Sequence, residues 1–183
     1  MAKTPGEHVN IAYQVTFNSV DIGLTDLDGI KVKTERNDIK KEFDQYGKSL
    51  VGLLSGGENL MISLKLAQFN TANFKIAIPQ AVRFTSSSGT KVTIGRIPGR
   101  DFANDAKSLT LHRFPDGATV KTYDIYIYKA VAVEIGEVEY SSQKGFLLPI
   151  TFQAFVDTTR ANGRLLGEIG VPGASASSPS ATS

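Results

Sequence analysis

The sequence contains no cysteine and no tryptophan, and it has only two histidines. Because cysteine is absent, the chain has no disulfide bond, no thiolate metal ligand and no cysteine nucleophile. His8 and His112 lie far apart in the sequence, and neither has a recognisable acid and nucleophile around it. We therefore expect no enzyme activity, and no motif predicts a cofactor.

A long apolar run is also missing. No stretch approaches the ~20 apolar residues of a membrane-spanning helix, and residues 1–10 lack the apolar segment of a secretory signal. We therefore expect no membrane partner. The formal net charge of +2 is too small to indicate nucleic-acid binding by itself.

The 183 residues that are present suggest one domain. We expect a flexible N-terminal arm at 1–10, a single β domain at 11–168 and a disordered tail at 169–183. The tail is predicted to be disordered because it consists of small and polar residues interrupted by proline.

Alternating apolar residues predict strands at 11–20, 108–114, 119–135 and 146–156. The alternation shifts by one residue near Gly136 and Glu137, which favours a β-bulge, although a turn there explains the shift equally well. Pro149 lies within the last strand and has no N–H to donate. It therefore indicates a local bulge or an edge position.

One short helix is predicted after Asn70, whose side chain can cap the first amides. Phe69 and Phe74 have the spacing of a hydrophobic staple, and Pro79 ends the run. A helix this short is not stable alone, so we expect Phe69, Phe74 and Ile78 to pack it onto a sheet.

The stretch 29–66 organises the rest of the chain. Its two ends alternate as strands do, a turn is expected at 55–58, and the segment 34–48 between them carries charges of both signs. A compact domain rarely keeps so long a connection without a function. We interpret it as a projecting arm that contacts another copy, while a solvated hairpin that contacts nothing stays the alternative. The candidate arm residues are Lys33, Glu35, Arg36, Asp38, Lys40, Lys41, Glu42, Phe43, Asp44, Tyr46 and Lys48.

Two other charged sets are ambiguous. Asp26 and Asp28 resemble the start of a calcium loop, but Asn37 stands where that motif needs glutamate, so a plain turn is favoured. Residues Arg83, Arg96 and Arg100, with Phe84 and Phe102 nearby, form either a basic patch or a solvated loop with scattered charges.

The fold class that these patterns predict is mainly β. We expect seven or eight antiparallel strands in a sandwich or half-barrel, with one flanking helix and the long hairpin arm. Long apolar strand edges promote aggregation unless they are paired. Pairing them between subunits of a closed ring removes the free edges.

The sequence also resembles a known family. The segments that carry the resemblance are Gly23–Thr25, Asp28–Ile30, 43–49, Gly57–Glu58, Ala132–Gly136 and 148–157. Their order and spacing are similar to those of the tail tube proteins, or major tail proteins, of long-tailed bacteriophages. The resemblance covers roughly 22–157 and is weaker in the loop-rich part from 85 to 116.

The resemblance implies a structural virion protein that is assembled in the host cytoplasm. Subunits form hexameric rings, and the rings stack into a hollow tail tube through which DNA passes during ejection. Strands of six copies join into one barrel around the lumen, and the arm reaches an adjacent ring. The implied partners are other copies, the tape-measure, tail-tip and tail-terminator proteins, and DNA in transient, non-specific contact.

A tube wall that lets DNA pass is expected to be polar and acidic, because each lysine contact with phosphate would retain the DNA. The candidate lumen-facing acids are Glu134, Glu137 and Glu139, although they suit the solvent face of an outer sheet as well.

Three alternative functions stay open. They are a monomeric β-sandwich binding or decoration module, a basic nucleic-acid-binding barrel, and the inner tube of a contractile tail or type VI secretion-like machine.

Overall fold

The computed structural model describes residues 12–26, 28–68 without 43–49, 70–95 without 80, 98–117 without 115, 119–141, 145–160 and 165–171. For residues 42, 50–51 and 139–141 only the backbone is described. The predicted N-terminal arm and most of the predicted tail lie outside the described residues. Ile169, the first residue of that predicted tail, belongs instead to a strand.

Eleven strands and one α-helix are described, so the chain is mainly β, as predicted. The strands are β1 (Ala12–Phe17), β2 (Val20–Leu24), β3 (Lys31–Glu42), β4 (Leu50–Leu66), β5 (Arg83–Ser86), β6 (Gly89–Val92), β7 (Lys107–Phe114), β8 (Ile125–Ile135), β9 (Glu139–Ser141), β10 (Gly145–Ala154) and β11 (Gly167–Ile169). The helix α1 is Thr71–Ala77, and Phe102–Asp105 forms a 3-10 turn.

Nine of these strands form one antiparallel sheet in the order β2-β1-β7-β8-β10-β4-β3, with β11 beside β8 and β9 beside β10. Strands β5 and β6 make a separate hairpin. The sheet contains more strands than expected. Its strands β2, β9 and β11 have only three to five residues each, too few to show a period in the sequence.

The large sheet curls over its own core. Two strands, β7 and β8, separate β1 from β10 in the sheet, yet the ring centroids of Phe17 on β1 and Phe152 on β10 lie 5.6 Å from each other. A single bridge between Thr25 and Leu66 links the β2 end to β4. The result is an open half-barrel. Its fully buried side chains include Val15, Ile22, Ile62, Leu66, Leu109, Leu111, Leu148, Ile150 and Phe152.

Helix α1 begins as predicted. The side chain of Asn70 accepts a hydrogen bond from the backbone N–H of Ala72 at 2.9 Å. Ile78 is buried, and the ring of Phe74 packs on the core 5.9 Å from the ring of Phe146. Phe69, the other half of the predicted staple, lies outside the described residues.

The bulge predicted near Gly136 is present. Strand β10 pairs with β9 at Leu147 and with β8 at Ile150, so two residues of β10 face the three residues 136–138. The N–H of Gly136 donates to the carbonyl of Pro149 at 3.0 Å. The nitrogen and carbonyl of a strand residue point to the same side, so the nitrogen of Pro149, which has no N–H, faces this bulge.

Candidate assembly surfaces

The predicted arm is a long β-hairpin. Strands β3 and β4 pair from Lys31 opposite Ser63 out to Glu42 opposite Leu50. Its base contributes Ile62 to the core, whereas residues 31–41 and 53–58 are exposed. The described side chains in the distal half of this hairpin therefore lie outside the core of their own chain. The connecting residues, including the candidates Phe43, Asp44, Tyr46 and Lys48, lie outside the described residues, as does the side chain of Glu42.

The turn predicted at 55–58 is wrong, because these residues continue strand β4. Arg36 pairs with Glu58 and Asp38 pairs with Ser55, so Asn37 alone faces both Gly56 and Gly57. This two-against-one arrangement is a β-bulge, which bends and twists a strand. Gly57 has a φ of 110°, which favours glycine, and a Cβ on Gly56 would lie 2.1 Å from the Asn37 carbonyl oxygen.

Charges near the arm base are paired within the chain. Lys33 lies 2.5 Å from Glu35, and the Nε of Arg36 donates to Glu58 at 3.0 Å. Glu35, which we expected to meet a neighbour's lysine, therefore already has a partner. Asp38, Lys40 and Lys41 make no ion pair with the described part of the chain. These three charges remain available to another molecule.

Exposed apolar side chains lie beside these charges at the distal end of the hairpin, and the sequence alone did not reveal them. Ile39 lies directly opposite Leu54, and their exposed fractions are 59% and 46%. Leu53 lies opposite Lys40 on the other face of the hairpin and is also exposed. The neighbouring lysines hide these apolar residues in the sequence. The pair of Ile39 and Leu54 becomes clear only when β3 and β4 are aligned.

The face of the sheet opposite the core is polar. Lys31, Ser63, Thr151 and Glu134 form one row across β3, β4, β10 and β8. The hydroxyl groups of Ser63 and Thr151 are hydrogen-bonded at 3.1 Å. This polar row, with its flanking residues, is called the polar face below.

Of the candidate lumen-facing acids, Glu134 and Glu137 are exposed, and the side chain of Glu139 is not described. Lys31, Lys33 and Lys65 alternate onto the same side of the hairpin as the polar row. Lys65 donates to Asp28 at 2.9 Å. This face therefore carries charges of both signs, and the acidic lumen wall stays a prediction.

Two side chains of the proposed basic patch and its surroundings have partners within the chain. Arg100 is engaged by Asp105 of the 3-10 turn, and the ammonium group of Lys91 lies over the Phe84 ring at 5.5 Å. Arg96 lies outside the described part.

His112 belongs to a buried network. Its Nδ1 lies 2.7 Å from Asp124, its Nε2 lies 3.3 Å from the backbone oxygen of Asp116, and Asp124 is 2% exposed. The hydroxyl of Tyr126 donates to Asp124 at 2.8 Å. Burial, followed by the Asp124 hydrogen bond and charge, raises the pKa of Tyr126 to about 12. Both ring nitrogens of His112 are thus occupied, one by Asp124 just before β8 and the other by Asp116 in the loop after β7.

Within the described ranges, no cluster of three or more histidine, cysteine, aspartate or glutamate residues is arranged to hold a metal ion. The same ranges contain no helix that is both long enough and apolar enough to cross a membrane.

Comparison with known proteins supports the fold only. No family model matches the sequence, and no curated protein matches it. Among solved structures, the fold is similar to a chain in the "Cryo-EM Structure of an Extracellular Contractile Injection System, PVC sheath-tube complex in extended state". The TM-score is 0.50 at 12% sequence identity, and the match covers 78% of this chain and 84% of that chain. The two chains therefore share one fold over most of their lengths.

Proposed function

We propose that the chain is a structural subunit that assembles with its own copies into the tube of a phage tail or a related injection machine. The observation that carries this proposal is the β3–β4 hairpin, whose distal half stays paired beyond a bulge while its described side chains cover none of its own core. The fold shared with a chain of a sheath–tube complex and the resemblance to tail tube proteins support it. The described chain serves as a building block, and we propose no catalytic role for it.

In the more specific form of this proposal, six copies form a ring and the rings stack. The hairpin contacts a neighbouring ring, and the sheets of the copies join around a lumen through which DNA passes during ejection. The tape-measure, tail-tip and tail-terminator proteins are its partners in the virion tail. These details rest on the resemblance of the sequence to tail tube proteins.

A second candidate is the inner tube of a contractile injection machine. The similar structure comes from an extracellular contractile injection system, and this favours that class over a monomeric binding module. Both tube readings predict self-assembly, whereas a binding or decoration module would remain monomeric.

We further propose that the polar face lines the lumen. Along β4, β10 and β8 the opposite face carries the core residues Ile62, Ile150 and Ala132, so the polar face is the side of these three strands that meets solvent. Mixed charge there leaves DNA weakly held, because Glu134 and Glu137 offset the nearby lysines.

Thiol accessibility tests the lumen assignment, since the chain has no cysteine of its own. Lys31→Cys places one thiol at the exposed edge of the polar face. In assembled tubes, a small maleimide should label this thiol, while a maleimide on a large polyethylene glycol should not. Equal labelling by both reagents would place the face on the outside, and exclusion of both would place it in a subunit interface. Dissociated tubes provide the control, because both reagents should then react.

A further inference from the structure

A cleft of 690 Å³ lies between the base of the hairpin and strand β11. Val32 and Leu60 line it on the hairpin side, and Ile127, Val156 and Ile169 line it on the other. Val32, Val156 and Ile169 are exposed, Ile169 to 74%. Exposed apolar side chains gathered in one place mark interaction surfaces. We call this site the hairpin cleft.

Unpaired backbone also borders the hairpin cleft. Strand β4 pairs with β10 only as far as Met61, and from Leu60 outward the described residues place no strand on that side of β4. Strand β11 pairs with β8, and no other strand of the described ranges pairs with its second edge. Strand edges that a protein leaves unpaired are sites for contact with another chain.

The distal hairpin carries a complementary surface. Ile39 and Leu54 lie opposite each other, and Lys41 follows on the same face across Gly52. A Cβ placed on Gly52 would lie 3.8 Å from the Cβ of Lys41, so the lysine stem extends over bare backbone. We call Ile39, Lys41 and Leu54 the tip patch.

The tip patch cannot fill the hairpin cleft of its own chain. Leu54 comes directly before the cleft-lining Ser55 on β4. Successive side chains of a strand point to opposite faces, so Leu54 and its partner Ile39 face away from this cleft. An occupant with this chemistry must therefore come from a different molecule.

We propose that the tip patch of one copy docks into the hairpin cleft of another copy. Ile39 and Leu54 would cover the exposed Val156 and Ile169. The charged residues that line the cleft, Glu58 and Glu168, are both acidic.

Glu58 is already bonded to Arg36, whereas Glu168 makes no ion pair with the described part of the chain. Lys41 therefore meets Glu168. The two surfaces differ, so the contact is head-to-tail and propagates into rings or stacks. This inference rests on the proposed function and names the surface that receives the arm.

Disulfide trapping tests this docking. Ile39→Cys is made in one preparation and Ile169→Cys in another that carries a size tag, and the two are mixed under assembly conditions and oxidised. Both side chains are exposed, so neither change should impair folding. We expect the mixed disulfide dimer to exceed, by several-fold, that formed between Ile39→Cys and the control Ile94→Cys, whose site is 86% exposed. Equal yields for the two pairs would overturn the proposal.

A second substitution in either chain tests the assigned contact residue by residue. Leu54→Ser in the tip-bearing chain should lower the yield several-fold, while Leu53→Ser, a similarly exposed leucine on the opposite face, should not. Lys41→Glu should lower the yield, and Glu168→Lys in the cleft-bearing chain should restore it. Equal loss with both leucine variants, or no recovery after the charge exchange, would contradict the assigned contact.

The outcome also separates this inference from the proposed function. If the unmodified protein forms tubes but the cysteine pair does not cross-link selectively, the proposed docking site is wrong and the tube proposal is supported. If the pair cross-links selectively but rings or tubes never form, the docking contact is supported and the tube proposal is wrong.

Discussion

Asp157 fixes the connection between β10 and β11. Its carboxylate accepts hydrogen bonds from the hydroxyl of Thr159 at 2.9 Å and from the backbone N–H of Thr159 at 3.3 Å. The ammonium of Lys129 lies 3.2 Å away. These contacts, the Thr159 hydroxyl first, lower the pKa of Asp157. Because the connection positions β11, Asp157 supports one wall of the hairpin cleft.

A lowered pKa has a definite consequence for stability. The carboxylate's contribution is complete above its unfolded-state pKa, about 4, and is lost as the pH falls through the lower folded-state value. Asp157→Asn should therefore reduce the free energy of unfolding at neutral pH. The difference from the unmodified protein should shrink as the pH falls below 4. Denaturant titrations over a pH series measure this, with the exposed Asp38→Asn as control. A difference that did not change with pH would contradict the assignment.

Asn73 anchors helix α1. It is buried, and its side-chain amide donates to the backbone oxygens of Ile22 at 2.9 Å and Gln68 at 3.3 Å. Asn73→Ala leaves buried carbonyls without a donor and should cost about 1–3 kcal/mol of unfolding free energy. Lys75→Ala, exposed on the same helix, should change it by less than about 0.5 kcal/mol. Equal effects of the two changes would show that the buried amide does not hold the helix.

The two asparagines of this region show what the sequence can predict. The Asn70 cap was correct because capping depends on residues within one turn of the helix. The role of Asn73 depends on Ile22, which is 51 residues away in the chain. An asparagine inside a short helix pattern otherwise resembles a surface residue, so only the packed structure reveals this contact.

At the level of elements, two bulges were not equally visible in the sequence. The bulge at Gly136 was detectable because apolar residues on both sides change register. The bulge at Gly56 and Gly57 was mistaken for a turn, because glycine and serine favour turns and the exposed strand has little apolar alternation to shift. The apolar pair Ile39–Leu54 beyond it was hidden for the same reason.

Gly56→Ala tests the hairpin bulge. The added Cβ would lie 2.1 Å from the Asn37 carbonyl, so the local pairing must shift. At Gly52 an added Cβ meets only Lys41 at an ordinary 3.8 Å. Gly56→Ala should therefore speed amide exchange in β3 and the outer part of β4 and weaken assembly, whereas Gly52→Ala should not speed exchange. Unchanged exchange in the first variant would contradict the bulge geometry.

Excision of the distal hairpin tests whether the arm serves assembly. Replacing 37–57 by Asn-Gly leaves Arg36 and Glu58 paired across a two-residue turn, which suits a tight hairpin. The described part of the excised segment contributes no side chain to the core. The variant should melt within a few degrees of the unmodified protein, measured by circular dichroism, and should form no stacked assemblies. Normal stacking would make the arm irrelevant to assembly.

For the whole molecule, the sequence predicted the mainly β class, the single helix and the long hairpin. The sequence did not predict the order of the strands in the sheet. Strand β1 pairs with β7, and β4 pairs with β10, and each pairing brings together segments about ninety residues apart. Alternation defines which face of a strand is apolar but not which strand lies beside it. The curl that brings Phe17 against Phe152 arises from that order.

The open sheet and the long uncovered hairpin fit the proposed assembly. Unpaired strand edges and exposed apolar clefts mark sites of contact with another chain. Other copies of the chain can cover both at once, since a head-to-tail contact uses two different surfaces of each subunit.

Electron microscopy of the purified protein across a concentration series tests this account most directly. We predict rings or hollow tubes of one uniform width that become longer and more numerous with concentration. Light scattering in parallel gives the mass of the dissolved species. Particles with the mass of one chain, 19.7 kDa, at every concentration up to the solubility limit would contradict self-assembly and favour the monomeric binding module.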